Sequence, residues 1–209
     1  MRRLLLASAF AGGIGVAAAG WLLWAKEVEE PTAAALMDAV MWNKEPIGGA
    51  FALIDHNGDR RTDADFRGKL LLIYFGFTYC TDVCPTDLQA IATAVDKLGA
   101  SGEAVQPIFI TIDPEKDTPE QLKSHLALFH PRLIGLTGDA KQIKQVARTY
   151  KVYYAKTVPA RKADYVIDHT GFIFLVGANG QYLGFFPPGT SADRMVEVIR
   201  PQLSALAQK

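Results

Sequence analysis

Leu70-Leu71-Leu72-Ile73-Tyr74-Phe75-Gly76-Phe77-Thr78-Tyr79-Cys80-Thr81-Asp82-Val83-Cys84-Pro85 is the stretch that decides the fold. An apolar run from Leu70 to Phe77 ends in two cysteines four residues apart, and the chain has no others. Beyond Pro85, the residues Leu88, Ile91, Ala92, Val95 and Leu98 recur at three- and four-residue steps, the spacing of one helix face. The stretch therefore predicts a strand, a tight loop and a helix of about residues 86 to 98, with both thiols in the loop. Pro85 suits the first helical position, where a missing N–H costs nothing, and this puts Cys84 at or beside the N-cap.

Unpaired N–H groups at a helix start favour negative charge. A thiolate is thereby expected over a thiol. Two thiolates in one loop have two chemical uses: they close a disulfide, or they hold a soft metal such as Cu(I).

The chain has 209 residues, 22 Lys+Arg against 22 Asp+Glu, and 49% hydrophobic residues. That length suits one domain with a substantial core. The neutral balance argues against nucleic-acid binding, which shows as a basic excess. Two cysteines exclude a disulfide-dense secreted scaffold.

Arg2 and Arg3 precede an uncharged run from Leu4 to Ala25. As a helix at 1.5 Å per residue it measures about 33 Å, enough for a hydrocarbon core of ~30 Å. Trp21 and Trp24 stand at its far end, as interfacial aromatics do. Residues 1–25 therefore read as an N-terminal transmembrane anchor with the N-terminus inside and the remainder outside. A cleaved signal peptide is the rival, because Ala17-Ala18-Ala19-Gly20 offers small residues for processing. Either reading puts the folded domain in an oxidising compartment, where a thiol pair stays reduced only with a metal or a dedicated reductant. Residues 26–45 read as a tether, and 46–209 as the domain.

Within the domain, Phe51 and Leu53 suggest a strand to Asp55, and His56-Asn57-Gly58-Asp59 a turn. Gln106 to Ile112 is a second buried strand. Thr118, Pro119 and Gln121 then start a helix running to Phe129. Asp113 and Asp117, in the intervening segment, read as loop and cap residues, with contact to a site as the alternative, His56 reads as a turn residue, and His125 and His130 as structural histidines. Leu133–Leu136 is a short strand, followed by a helix to about Tyr150, another short strand at Val152–Tyr154, and an exposed loop or hairpin tip over 156–164. Phe172–Val176 and Tyr182–Phe186 flank an Asn179-Gly180 turn and form a hairpin. Ser191 to Leu206 is a last helix, with Pro201 breaking or kinking it. This order predicts an α/β fold with a thioredoxin-like central sheet flanked by helices. Thioredoxin-like domains carry their cysteines after a central strand, at a helix start.

His169 lies 85 positions after Cys84, just before a strand, where thioredoxins commonly place a proline against their cysteines. No proline occurs between Asp164 and Phe172. Taken by itself, a single histidine is more often a structural residue than a ligand. Facing two thiolates, it completes an S₂N set suited to copper in either oxidation state. In extended chain, Asp168 points to the opposite face and is left out of that set.

The run Tyr74–Pro85, the segment Thr111–Pro119, Gly135–Gly138, Val152–Tyr154 and Asp168-His169-Thr170 together resemble the Sco/SenC family, in the family's order and across most of residues 47 to 186. The resemblance implies a membrane-anchored, thioredoxin-like domain that binds one copper ion, Cu(I) or Cu(II), through Cys80, Cys84 and His169. It implies a metallochaperone for the binuclear copper centre of cytochrome c oxidase. The implied partners are the oxidase's copper-binding subunit and a copper-donor protein, and the implied location is the bacterial periplasm or the mitochondrial intermembrane space. Thr81 stands where the family usually has proline, and Thr170 where it often has serine. Neither departure removes a ligand.

The other reading is enzymatic: a thiol-disulfide oxidoreductase whose Cys80–Cys84 pair cycles through a disulfide and keeps the acceptor's copper-ligand cysteines reduced. The usual oxidoreductase spacing is Cys-x-x-Cys, and the three intervening residues here tilt toward metal. A peroxidase needs a proline where Phe77 stands. Zinc would use the same Cys₂His set but has no evident fourth ligand. A copper sensor would carry the same residues.

Overall fold

The computed structural model describes residues 46–81, 83–158 and 165–207. The expected anchor at 1–25 and the tether at 26–45 lie outside the described residues. Among the described residues no helix is long and apolar enough to cross a membrane.

Strand β3 (Leu70–Gly76) is buried at every position, as its uninterrupted apolar sequence requires of a strand covered on both faces. It pairs in parallel with β4 (Val105–Thr111) and antiparallel with β8 (Ile173–Val176). Around this centre, β1 (Ala52–Asp55), β2 (Arg60–Thr62), β5 (Ile134–Thr137) and β9 (Tyr182–Phe186) complete a seven-stranded mixed sheet in the order β2-β1-β5-β4-β3-β8-β9. The three-residue β2 was not apparent in the sequence, because its Arg60-Arg61-Thr62 has no apolar alternation to report it.

Alternation along β3 sorts the core. Leu71, Ile73 and Phe75 pack with Phe174, Tyr150 and helix α3 (Ala140–Thr149) on one face. Leu70, Leu72 and Tyr74 pack on the other with helices α1 (Val83–Lys97), α2 (Pro119–Leu126) and α4 (Ala192–Ala207). The sequence β3-α1-β4, then β8-β9-α4, on one mixed sheet is the thioredoxin-like arrangement. β1, β2 and the stretch between β4 and β8 are additions to it.

Several boundaries differ from expectation, among them the end of α2, which stops at Leu126 rather than Phe129. Helix α1 is already helical at Val83, so Cys84 is its second described residue and Pro85 its third. Proline is still tolerated there because the whole first turn lacks N–H partners within the helix. The strand expected at Val152–Tyr154 is instead β6 (Tyr154–Thr157), since Val152 is drawn into the core beside Tyr150. β6 pairs antiparallel with β7 (Val166–His169), so residues 156 and 157 of the expected loop are strand, and 159–164 lie outside the described residues. Helix α4 continues through Pro201. Pro201 and Glu197, whose carbonyl loses its partner, are both exposed, so water takes the place of the missing bond.

Candidate metal centre

The centre is built where β3 ends. Gly76 closes the strand, and a Cβ there would lie 2.9 Å from Phe109, 3.0 Å from Tyr74 and 3.2 Å from Cys84 Sγ. Only glycine lets the strand end pass this close to the thiol. The chain then turns through Phe77, Thr78 and Tyr79, with Cys80 N–H bonding the Phe77 carbonyl. Cys80 is half-buried, Cys84 is buried, and no disulfide joins them.

His169 arrives from a different part of the fold, as the last residue of β7. Its register partner is Tyr154. Strand alternation turns it toward the site while Asp168 is exposed, as expected for neighbours in extended chain. Tyr74 and Phe77 meet its ring edge-on, at 6.3 and 5.9 Å between centroids. Nδ1 lies 3.2 Å from the Thr170 carbonyl. A carbonyl only accepts, so in the neutral ring this contact favours the tautomer with the proton on Nδ1 and the lone pair on Nε2. That Nε2 lies 3.5 Å from Cys84 Sγ.

The two thiol sulfurs and a ring nitrogen of His169 all lie within 4.8 Å of one another. Metal bonds to thiolate and imidazole of about 2.0–2.3 Å, as zinc makes, permit ligand separations up to about 4.6 Å. The set thus needs little movement to close on one ion. Two soft sulfurs and one imidazole suit copper.

Thiolate character at Cys84 is not what the helix start alone suggested. The thiol's pKa is pushed far up, by its hydrogen bond with Cys80 and by burial. These two oppose the pull of the helix start and favour the thiol in the metal-free protein.

The site has a polar floor that the sequence reading missed. Tyr74 Oη and Asp87 Oδ2 are buried without a hydrogen-bond partner among the described residues. Burial raises the pKa of both groups. The other oxygen of Asp87 accepts from Gly189 N–H at 2.8 Å, tying α1 to the segment before α4. The available signal was an acidic residue on the buried stripe Cys84, Asp87, Leu88, Ile91 of α1.

Thr78 is fixed by buried Asp117, which accepts from its N–H at 3.1 Å, from its hydroxyl at 2.6 Å, and from the Thr111 hydroxyl at 2.6 Å. The remaining histidines are elsewhere and structural. His56 Nδ1 accepts from Gly135 N–H, His130 Nδ1 from Arg132 N–H, and His125 packs on Phe129.

A thioredoxin-like domain with two thiols and an imidazole converging at the end of its central strand is the class that this fold and site define. Residues 40–204 match the SCO1/SenC family, and the chain belongs to that family. It is 38% identical to the mitochondrial SCO2 homolog of Mus musculus over 97% of this chain and 79% of that protein. It is 42% identical to a SCO2-like protein of Rickettsia conorii over 90% of this chain and 91% of that protein. Among solved structures it resembles copper-bound ScoI of Arabidopsis thaliana, with 40% identity, a TM-score of 0.71, and coverage of 76% of this chain and 99% of that one.

Proposed function

We propose that the chain binds one copper ion through Cys80, Cys84 and His169 and delivers it to the copper-binding subunit of cytochrome c oxidase. The observation that carries this reading is the convergence of Cys80, Cys84 and His169 to within 4.8 Å, with the His169 Nε2 lone pair turned to the thiols. Copper in the related ScoI supports it. The domain would be 46–209, with 26–45 as tether and 1–25 as a membrane anchor that places the site in the periplasm or the intermembrane space. Relatives from mitochondria and from bacteria accord with either location.

Bound copper would supply a thiolate-exchangeable cargo. The protein's own residues hold and release it. Half-buried Cys80 is the sulfur an incoming acceptor thiol reaches first, and buried Cys84 with His169 is the inner pair. As the ion leaves, Cys84 recovers its proton, because its surroundings favour the thiol. This recapture pulls transfer forward.

A transfer assay tests the role. The full chain loaded with Cu(I) is mixed with the copper-free, reduced copper-binding domain of the oxidase subunit. Copper should move to the acceptor. If copper stays with this chain, while the reduced, metal-free chain reduces a disulfide in that acceptor, the oxidoreductase reading replaces delivery.

A further inference from the structure

The hairpin that carries His169 is not part of the main sheet. β6 and β7 form a two-stranded sheet of their own. The thiols, by contrast, sit on the loop leaving the central strand. The spacing between imidazole and sulfurs therefore depends on whatever holds the hairpin to the body, and no continuous ladder of backbone bonds does so.

Ile167 of β7 packs into the core and residues 170–172 lead from His169 straight into β8, and side chains from the β4–α2 loop add a polar grip. Asp113, 1% exposed, follows β4. It accepts from Lys156 Nζ at 2.8 Å and from Tyr165 Oη at 2.8 and 2.9 Å. Lys156 belongs to β6 and Tyr165 immediately precedes β7, so one carboxylate grips both strands of the hairpin. Glu115 accepts a second bond from Lys156 at 2.8 Å. The Lys116 ammonium lies 4.0 Å from the Tyr165 ring centroid and 5.5 Å from that of Tyr79, the neighbour of Cys80. Four residues beyond Asp113, Asp117 holds Thr78 on the thiol loop. One short loop thus grips both halves of the site, and its Asp113 and Asp117 carboxylates are buried.

We infer that Asp113 is a positioning residue for the metal centre: through Lys156 and Tyr165 it sets the distance of the His169 hairpin from the thiols, while Asp117 in the same loop fixes the thiol side. The inference rests on the ligand set proposed above. Fixed ligand orientation by such outer partners is commonly worth about 10–100-fold in metal affinity.

The test uses the full chain with Asp113→Asn and, separately, Lys156→Met, which changes a partly exposed side chain and leaves the buried carboxylate in place. The first readout is metal-free amide hydrogen exchange. In both variants the β6–β7 amides should exchange at least about tenfold faster while those of β3 and β4 keep wild-type protection. The second is Cu(II) binding, followed by chelator competition and the thiolate-to-copper absorption bands. Affinity should fall about 10–100-fold with displaced bands, measured at a temperature where circular dichroism shows Lys156→Met fully folded. The double variant should be no worse than Asp113→Asn by more than about twofold, because both act through one contact. Unchanged hairpin exchange overturns the inference. So does faster exchange with wild-type copper affinity and bands, provided that His169→Ala loses copper. If His169→Ala binds copper as wild type does, the ligand set is what fails, and the exchange data alone decide whether Asp113 holds the hairpin.

Discussion

His169 Nε2 stands 3.5 Å from Cys84 Sγ, although 85 residues of chain separate them. In the neutral imidazole the Thr170 carbonyl favours the proton at Nδ1, so a lone pair faces a thiol whose surroundings favour its protonated form. Together with Cys80 this pairing forms a group that could hold a metal ion.

The first consequence concerns pH. Cys84 has a raised pKa in the metal-free protein and must lose its proton to bind. The sign follows directly: metal competes with a proton that is present throughout the neutral range, so apparent copper affinity rises as pH rises. Each displaced proton adds about one unit of log K per pH unit, or about 100-fold between pH ~6 and pH ~8. Cu(I) competition titrations across that range should give a slope of at least one, and a flat profile would contradict a protonated Cys84.

Alkylation should separate the two thiols. Cys80 is half-buried and Cys84 is buried with its pKa pushed up. The thiolate is the reactive form. Iodoacetamide on the reduced, metal-free protein should therefore modify Cys80 at least about tenfold faster than Cys84. Peptide mass mapping over time reads the order, and faster labelling of Cys84 would reverse the inner and outer assignments used for copper release.

Gly76 should tolerate no side chain. In Gly76→Ala the new methyl presses on the rings of Phe109 and Tyr74 and on Cys84 Sγ, at 2.9, 3.0 and 3.2 Å. Overpacking of this kind costs about 1–3 kcal/mol. Denaturant unfolding should show that loss together with weakened copper binding. Full stability and full affinity would mean that the strand end yields more easily than its packing indicates.

Much of this was legible in the sequence because its signals are local. The run Leu70 to Phe77 announced a strand buried on both faces, and the stripe from Leu88 to Val95 announced the helix that follows it. What stayed hidden came from partners distant in sequence. Asp117 looked like a loop and cap residue, and its true partner is Thr78, 39 positions away. Asp113 looked the same, and its partner Tyr165 lies 52 positions away. The protonated state of Cys84 was invisible for a related reason. A helix start can be read from neighbours in the chain, whereas desolvation is set by the packed surroundings. Pro201 does not break the last helix, and it stands on an exposed position of it.

Copper stoichiometry tests the central claim most directly. The purified, reduced full chain is loaded with Cu(I), stripped of loosely held metal by a competing chelator, and assayed for copper per chain beside His169→Ala and Cys84→Ser. The account predicts one retained copper for wild type and a loss of affinity beyond about 100-fold in each variant, more than removal of an outer partner costs. No retained copper in wild type, or one copper retained equally by His169→Ala, would contradict it.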